Sequence, residues 1–203
     1  MYHKGVNREL VIQTAVELAE KNGLNFFSMH QLAAELGIRT ASLYKHVSGL
    51  DDVITELGRY ALKLQRDEEL KAIEGLHGDE AVFAFASAYR RFAQMHPELY
   101  RTILSMQHMS NDALEKETVV LADTVMYVLK DYDLDETELM HWQRILRSIM
   151  HGFITHEEAG YFIHFAADKE DTYRLAIQCF LDGLKGRKRG NATEERREKT
   201  EEE

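Results

Sequence analysis

The stretch from Ser28 to Val47, SMHQLAAELGIRTASLYKHV, constrains the fold more than any other part of the chain. Two short apolar patterns at helical spacing, one ending at Leu36 and one centred on Leu43, are separated by Gly37. Glycine supplies a left-handed residue there without a Cβ penalty, so the chain turns sharply and the second helix crosses the first. Ile38 is expected to pack inward beneath the turn. Ser28 and Gln31 have the spacing of a capping box, and Phe26 and Phe27 precede it as a hydrophobic staple. On a third helix of two turns Leu43 would face the core, with Thr40, Ser42, Tyr44, Lys45 and His46 largely outward. This is the pattern of a helix-turn-helix, whose second helix can lie in the major groove of DNA.

Helix is expected throughout the remainder. One Pro and 12 Gly in 203 residues leave helix formers almost uninterrupted, which predicts an all-α fold of about nine helices. The first spans residues 8–22, with Val11, Ala15, Leu18 and Ala19 on one face and Gly23 as its stop. Ser48 and Gly49 break the chain before a long fourth helix, residues 50–74, with Asp51 and Asp52 at its positive end. A fifth helix follows over residues 80–96, Pro97 opens a sixth to Met106, and a seventh covers 112–131. Asp135 with Glu138 caps an eighth helix, apolar over a wide arc through Leu139, Trp142, Ile145, Leu146, Ile149, Met150 and Phe153. An arc that wide needs more than one partner. The last helix, residues 169–184, carries Tyr173, Leu175, Ala176, Phe180, Leu181 and Leu184. Within its apolar pattern the single Cys179 is expected to be a buried structural thiol, and one cysteine fits a reducing compartment. From Gly186 the tail holds six basic and six acidic residues and is expected to be disordered.

The formal net charge of −10 argues against a nucleic-acid partner until its distribution is considered. Residues 1–49 carry Lys4, Arg8, Lys21, Arg39 and Lys45 against four Glu, a local +1, which leaves −11 for the rest. A DNA-binding face must therefore be a small patch near the N-terminus. No apolar run of membrane-spanning length and no signal-peptide pattern occurs, so a soluble, cytoplasmic protein without membrane attachment is expected.

With these residues in place, the N-terminal stretch resembles the TetR family of bacterial transcriptional regulators over about residues 8–60. Phe27, Ser28, Leu32, Ala33, Leu36, Gly37, Ile38, Ser42, Leu43, Tyr44, His46 and Val47 stand where that family's pattern has them. Leu50 replaces a frequent Lys, and His30 a frequent Arg. The segment 147–162 resembles the effector domain of a subgroup with a Trp-His-Gly signature, matched by His151 and Gly152, with Met150 in place of Trp. The resemblance implies three domains: a DNA-binding domain over 1–49, an effector-binding and dimerisation domain over 50–185, and a charged tail over 186–203. It implies a homodimer through the last two helices, operator DNA as partner, and a small hydrophobic effector that releases the repressor.

Ser28, His30, Arg39, Thr40, Ala41, Ser42, Tyr44, Lys45 and His46 are the DNA-binding candidates. Those at the helix start can reach base edges, while Tyr44, Lys45 and His46 donate to phosphates. Phe85, Tyr89, Phe92, Tyr100, Met106, Met109, Met126, Trp142, Met150 and His151 are the candidates for the effector pocket. His151, His156 and His164 are not spaced to share a helix face, so no metal site is expected. No cofactor fingerprint and no catalytic constellation occurs, so neither cofactor nor enzymatic activity is expected. The alternative reading is a helical module that binds a ligand or a protein and keeps the helix-turn-helix only as scaffold.

Overall fold

The computed structural model describes residues 5–23, 27–106, 124–164 and 166–201, with side chains to Ser105 in the second stretch and to Arg187 in the last. Among these residues the fold is all helical. The elements are α1 (Arg8–Asn22), α2 (Met29–Glu35), α3 (Thr40–Leu43), α4 (Leu50–Ala72), α5 (Gly78–Met95), α6 (Pro97–Met106), α7 (described over 124–129), α8 (Glu136–Glu158) and α9 (Lys169–Glu201). The expected seventh helix thus falls largely outside the described residues, as do Phe26 and Met109. No described helix is long and apolar enough to cross a membrane.

Contacts divide the chain into two compact units, Met1–Glu68 with Arg91–Leu121 and Glu69–Arg90 with Ala122–Glu203. The first unit joins α4 as far as Glu68, and all of α6, to α1, α2 and α3.

In the first unit α1 begins at Asn7, whose side chain accepts the Leu10 N–H at 2.8 Å, and stops at Gly23 (φ 77°). Its inward face, Val11, Ala15 and Leu18, packs with Leu32 and Ala33 of α2, Leu43 of α3, Val47, and Val53 of α4. Phe27, Met29, Leu36 and Ile38 close the rim of this core. Arg8 ties the N-terminus of α1 to the start of α4: its two terminal nitrogens bond Asp52 at 2.7 and 3.1 Å, and one of them also reaches Glu56 at 3.0 Å. The Ser48 N–H donates to Asp52 as well, at 2.8 Å. At the other end of α1, Glu20 lies 2.5 Å from Nδ1 of His96.

The second unit is built around Val82, Phe85, Val128, Leu129, Leu146, Met150, Phe153, Tyr173, Ile177, Phe180, Leu181 and Leu184. Asp135 and Glu138 form the full capping box of α8, with N–H to carboxylate distances of 2.8 and 3.2 Å. Inside this unit lies a guanidinium. Arg90, its side chain only 7% exposed, makes a bidentate pair with Glu157 (2.9 Å twice) and a 2.6 Å bond to Glu170. Its carbon sits 5.3 and 5.1 Å from the ring centres of Phe153 and Tyr173. Tyr173 in turn donates to the Ala86 carbonyl at 2.8 Å, and burial pushes its phenol well above the usual range. One cation thereby joins α5 to α8 and α9.

Three expectations change. Helix α3 has one turn rather than two: after Leu43 the bonds run three residues back, His46 N–H to Leu43 O at 2.8 Å, so Tyr44 to His46 form a tighter turn. Cys179 is exposed, because Tyr173, Ile177, Phe180, Leu181 and Leu184 claim the inward side of α9 and leave Cys179 with Leu175 opposite. The tail from Gly186 continues α9 to Glu201, where the sequence reading has disorder. Its Glu, Arg and Lys residues are strong helix formers that extend a helix already nucleated.

Replacing Arg90 with Ala removes the bidentate partner of half-buried Glu157 and should destabilise the fold by about 1–3 kcal/mol, measurable by denaturant unfolding. Acid should act on Asp52, whose carboxyl the Arg8 guanidinium holds down at about 2 against an ordinary 3.8. Its contribution is complete above the ordinary value and is lost as pH falls towards 2, so the stability gap between wild type and Asp52→Asn should close across that window.

Candidate DNA-reading site

Helix α2 starts at Ser28, extended at φ −144°, whose hydroxyl oxygen accepts the Gln31 N–H at 3.2 Å. Only half of the expected capping box forms, since the Gln31 side chain accepts the Ser28 hydroxyl at 2.9 Å instead of the backbone N–H. At the other end Gly37 is left-handed (φ 66°). Its N–H bonds the Ala34 carbonyl at 3.1 Å, and that of Ile38 bonds Ala33 at 3.0 Å. These are the two bonds of a Schellman turn, which satisfies the last carbonyls of α2 and turns the chain into α3. A side chain at Gly37 would meet open space, so the backbone angle alone demands glycine.

Leu43 is fully buried and Val47 nearly so. They orient α3 and the turn after it, leaving Arg39, Ala41, Tyr44 and Lys45 exposed and Thr40, Ser42 and His46 half-buried. Arg39 occupies the N-cap without a side-chain bond. Tyr44 is 57% exposed. Among the described residues neither Arg39 nor Lys45 enters an ion pair, so both charges are available at this surface. His30 lies exposed on α2, and Ser28 is half-buried at its cap. The nine DNA-binding candidates therefore share one short region of the first unit.

The residues expected around an effector are more dispersed. Phe85 and Met150 lie inside the core of the second unit, with Tyr89 and Trp142 packed on it. Met126 and His151 are half-buried. Phe92 and Tyr100 are fully buried and belong to the first unit. The side chain of Met106 lies outside the described residues. A cavity of about 410 Å³ in the second unit is lined by Leu70, Lys71, Ile73, Glu74, Gly75 and Tyr127, none of them among the candidates. Among the described residues no cluster of His, Cys, Asp or Glu could hold a metal ion.

Sequence reasoning missed Arg8. It bonds Asp52, Glu56 and the His46 carbonyl, all 38 or more residues away, and no local pattern marks such a contact.

Residues 82–180 match the family model described as Tetracyclin repressor-like, C-terminal domain. An uncharacterized HTH-type transcriptional regulator, YobS of Bacillus subtilis (strain 168), is 28% identical over 182 residues, covering 89% of this chain and 93% of its own. A protein of unknown function from Rhodococcus sp. RHA1 superposes with a TM-score of 0.80 at 22% identity, over 90% of this chain and 97% of that one. ActR, a TetR family protein of Streptomyces coelicolor solved in complex with (S)-DNPA, superposes at 0.62 with 18% identity, over 89% and 98% of the two chains. The chain thus joins a helix-turn-helix to a segment that matches the Tetracyclin repressor-like C-terminal domain, and over most of its length it is similar to HTH-type transcriptional regulators.

Proposed function

We propose that the chain is a homodimeric repressor that reads operator DNA with α3 and is released by a small hydrophobic effector bound in its C-terminal domain. The observation that carries the reading is the exposed trio Arg39, Tyr44 and Lys45, its two cations in no ion pair among the described residues, on a segment pinned from behind by buried Leu43. Lys45, Tyr44 and His46 donate to phosphates and set register, and Arg39, Thr40, Ala41 and Ser42 meet base edges or the thymine methyl. Ser28 and His30 hold the groove edge. The DNA-binding domain in this reading is 1–49, the effector and dimerisation domain 50–185, and the tail 186–203.

Two apolar residues of the last helices stay in water, Ile145 on α8 (43% exposed) and Leu175 on α9 (62%). They are the outer part of the wide apolar arcs and supply the face on which a second copy seats, giving two readers for two half-sites of a pseudo-palindrome. The effector reading rests on the aromatic and Met side chains named above and on the family's C-terminal domain. Repression by release requires the effector to prefer the conformation that fits DNA poorly, since equal affinity for both states shifts nothing.

Lys45→Ala should weaken binding to the promoter DNA flanking the protein's own gene and lower the slope of log affinity against log salt by about 1, read by fluorescence anisotropy. Absence of salt-sensitive binding by the wild type would overturn the reading in favour of a scaffold that binds only ligand or protein. Ile145→Asp with Leu175→Asp should convert a dimer to a monomer in sedimentation and weaken operator binding along with it.

A further inference from the structure

We propose that Arg8 is a positioning residue for the DNA-reading segment: its guanidinium clamps the end of that segment, at the His46 carbonyl, to the first two turns of α4, and it makes no DNA contact of its own. This rests on the reading of α3 as the DNA-binding element.

Arg8 Nη1 donates to the His46 carbonyl at 2.8 Å and to Asp52 at 3.1 Å, and Nη2 donates to Asp52 at 2.7 Å and Glu56 at 3.0 Å. Both terminal nitrogens are thus spent inside the protein, although the side chain is 45% exposed. The last carbonyls of a helix have no partner within it and are taken by water or by a donor from elsewhere in the chain. Here the donor comes from the first residue of another helix. Asp52 holds the same link from the other side by accepting the Ser48 N–H at 2.8 Å.

An isolated exposed ion pair is worth little. This one is bidentate, shares Glu56 with Arg59 (2.8 Å), and includes a backbone carbonyl, so its geometry depends on the fork of a guanidinium, which a Lys ammonium lacks. The four side chains, two cationic and two anionic, cancel in formal charge. Two roles for Arg8 therefore give opposite signs at Asp52. If Arg8 serves only as positive charge near DNA, removing the Asp52 carboxylate tightens binding; if it serves as a clamp, the same change loosens the reader and weakens binding.

The test uses the full chain and a fluorescent duplex of the promoter flanking its own gene, titrated across a salt series, with hydrogen exchange of residues 44–48 measured on the free protein. Arg8→Ala should weaken binding about tenfold, the size of one charge-assisted hydrogen bond, with an unchanged salt slope. Arg8→Lys should recover little of that loss. Asp52→Asn should also weaken binding, and all three variants should exchange the Ser48 amide faster than wild type. A salt slope reduced by about 0.9 in Arg8→Ala would mark a phosphate contact and overturn the proposal. So would full rescue by Lys, tighter binding by Asp52→Asn, or unchanged exchange. Wild type that binds no duplex would refute the functional reading, while the exchange measurement still decides the clamp. Should Arg8→Ala fail to fold, Arg8→Lys and Asp52→Asn carry the same comparison.

Discussion

A four-residue helix has no stability of its own. Nucleating one turn fixes several dihedral angles for one hydrogen bond, and the return comes only with length that α3 does not have. Its existence is tertiary. Leu43 is buried among α1, α2 and α4, the Schellman turn at Gly37 sets the entry, and Arg8 with Asp52 sets the exit. What the first unit does with its core, its turn and its exposed ion pairs amounts to holding this one turn at a defined angle.

The second unit uses charge differently. Arg90 is buried where a hydrophobic residue of similar volume would give comparable stability, and it is retained between two aromatic rings with Glu157 and Glu170 as partners. Its geometry joins three helices through a single side chain. Asp79 works at the opposite end in the same way, accepting from Tyr132 at 2.7 Å and pairing with Lys185, while Arg187 bonds the carbonyls of Tyr132 and Asp133.

What could be read from the sequence was local. The Ser28 cap, the glycine stops at 23 and 37, the Asp135 and Glu138 box and the Pro97 start are each decided by residues within a few positions, and each stands where expected. The buried face of α1 followed from periodicity alone. Long-range choices were not legible. The length of α3 depends on Val47 being drawn into the core, the exposure of Cys179 on which of two apolar sides of α9 wins, and the role of Arg8 on partners far along the chain. Apolar periodicity cannot separate a residue that lines the core from one that stays exposed, which is why Leu175 and Ile145 read like their buried neighbours.

The division of labour on α3 bears on how such a protein can change. Leu43 and Val47 carry the packing, whereas Arg39, Ala41, Tyr44 and Lys45 add almost nothing to the core. Substitution at the outer positions leaves folding free energy nearly untouched, so drift there is not opposed by stability. A lineage can therefore explore new surface chemistry on this turn one residue at a time, with the scaffold behind it intact.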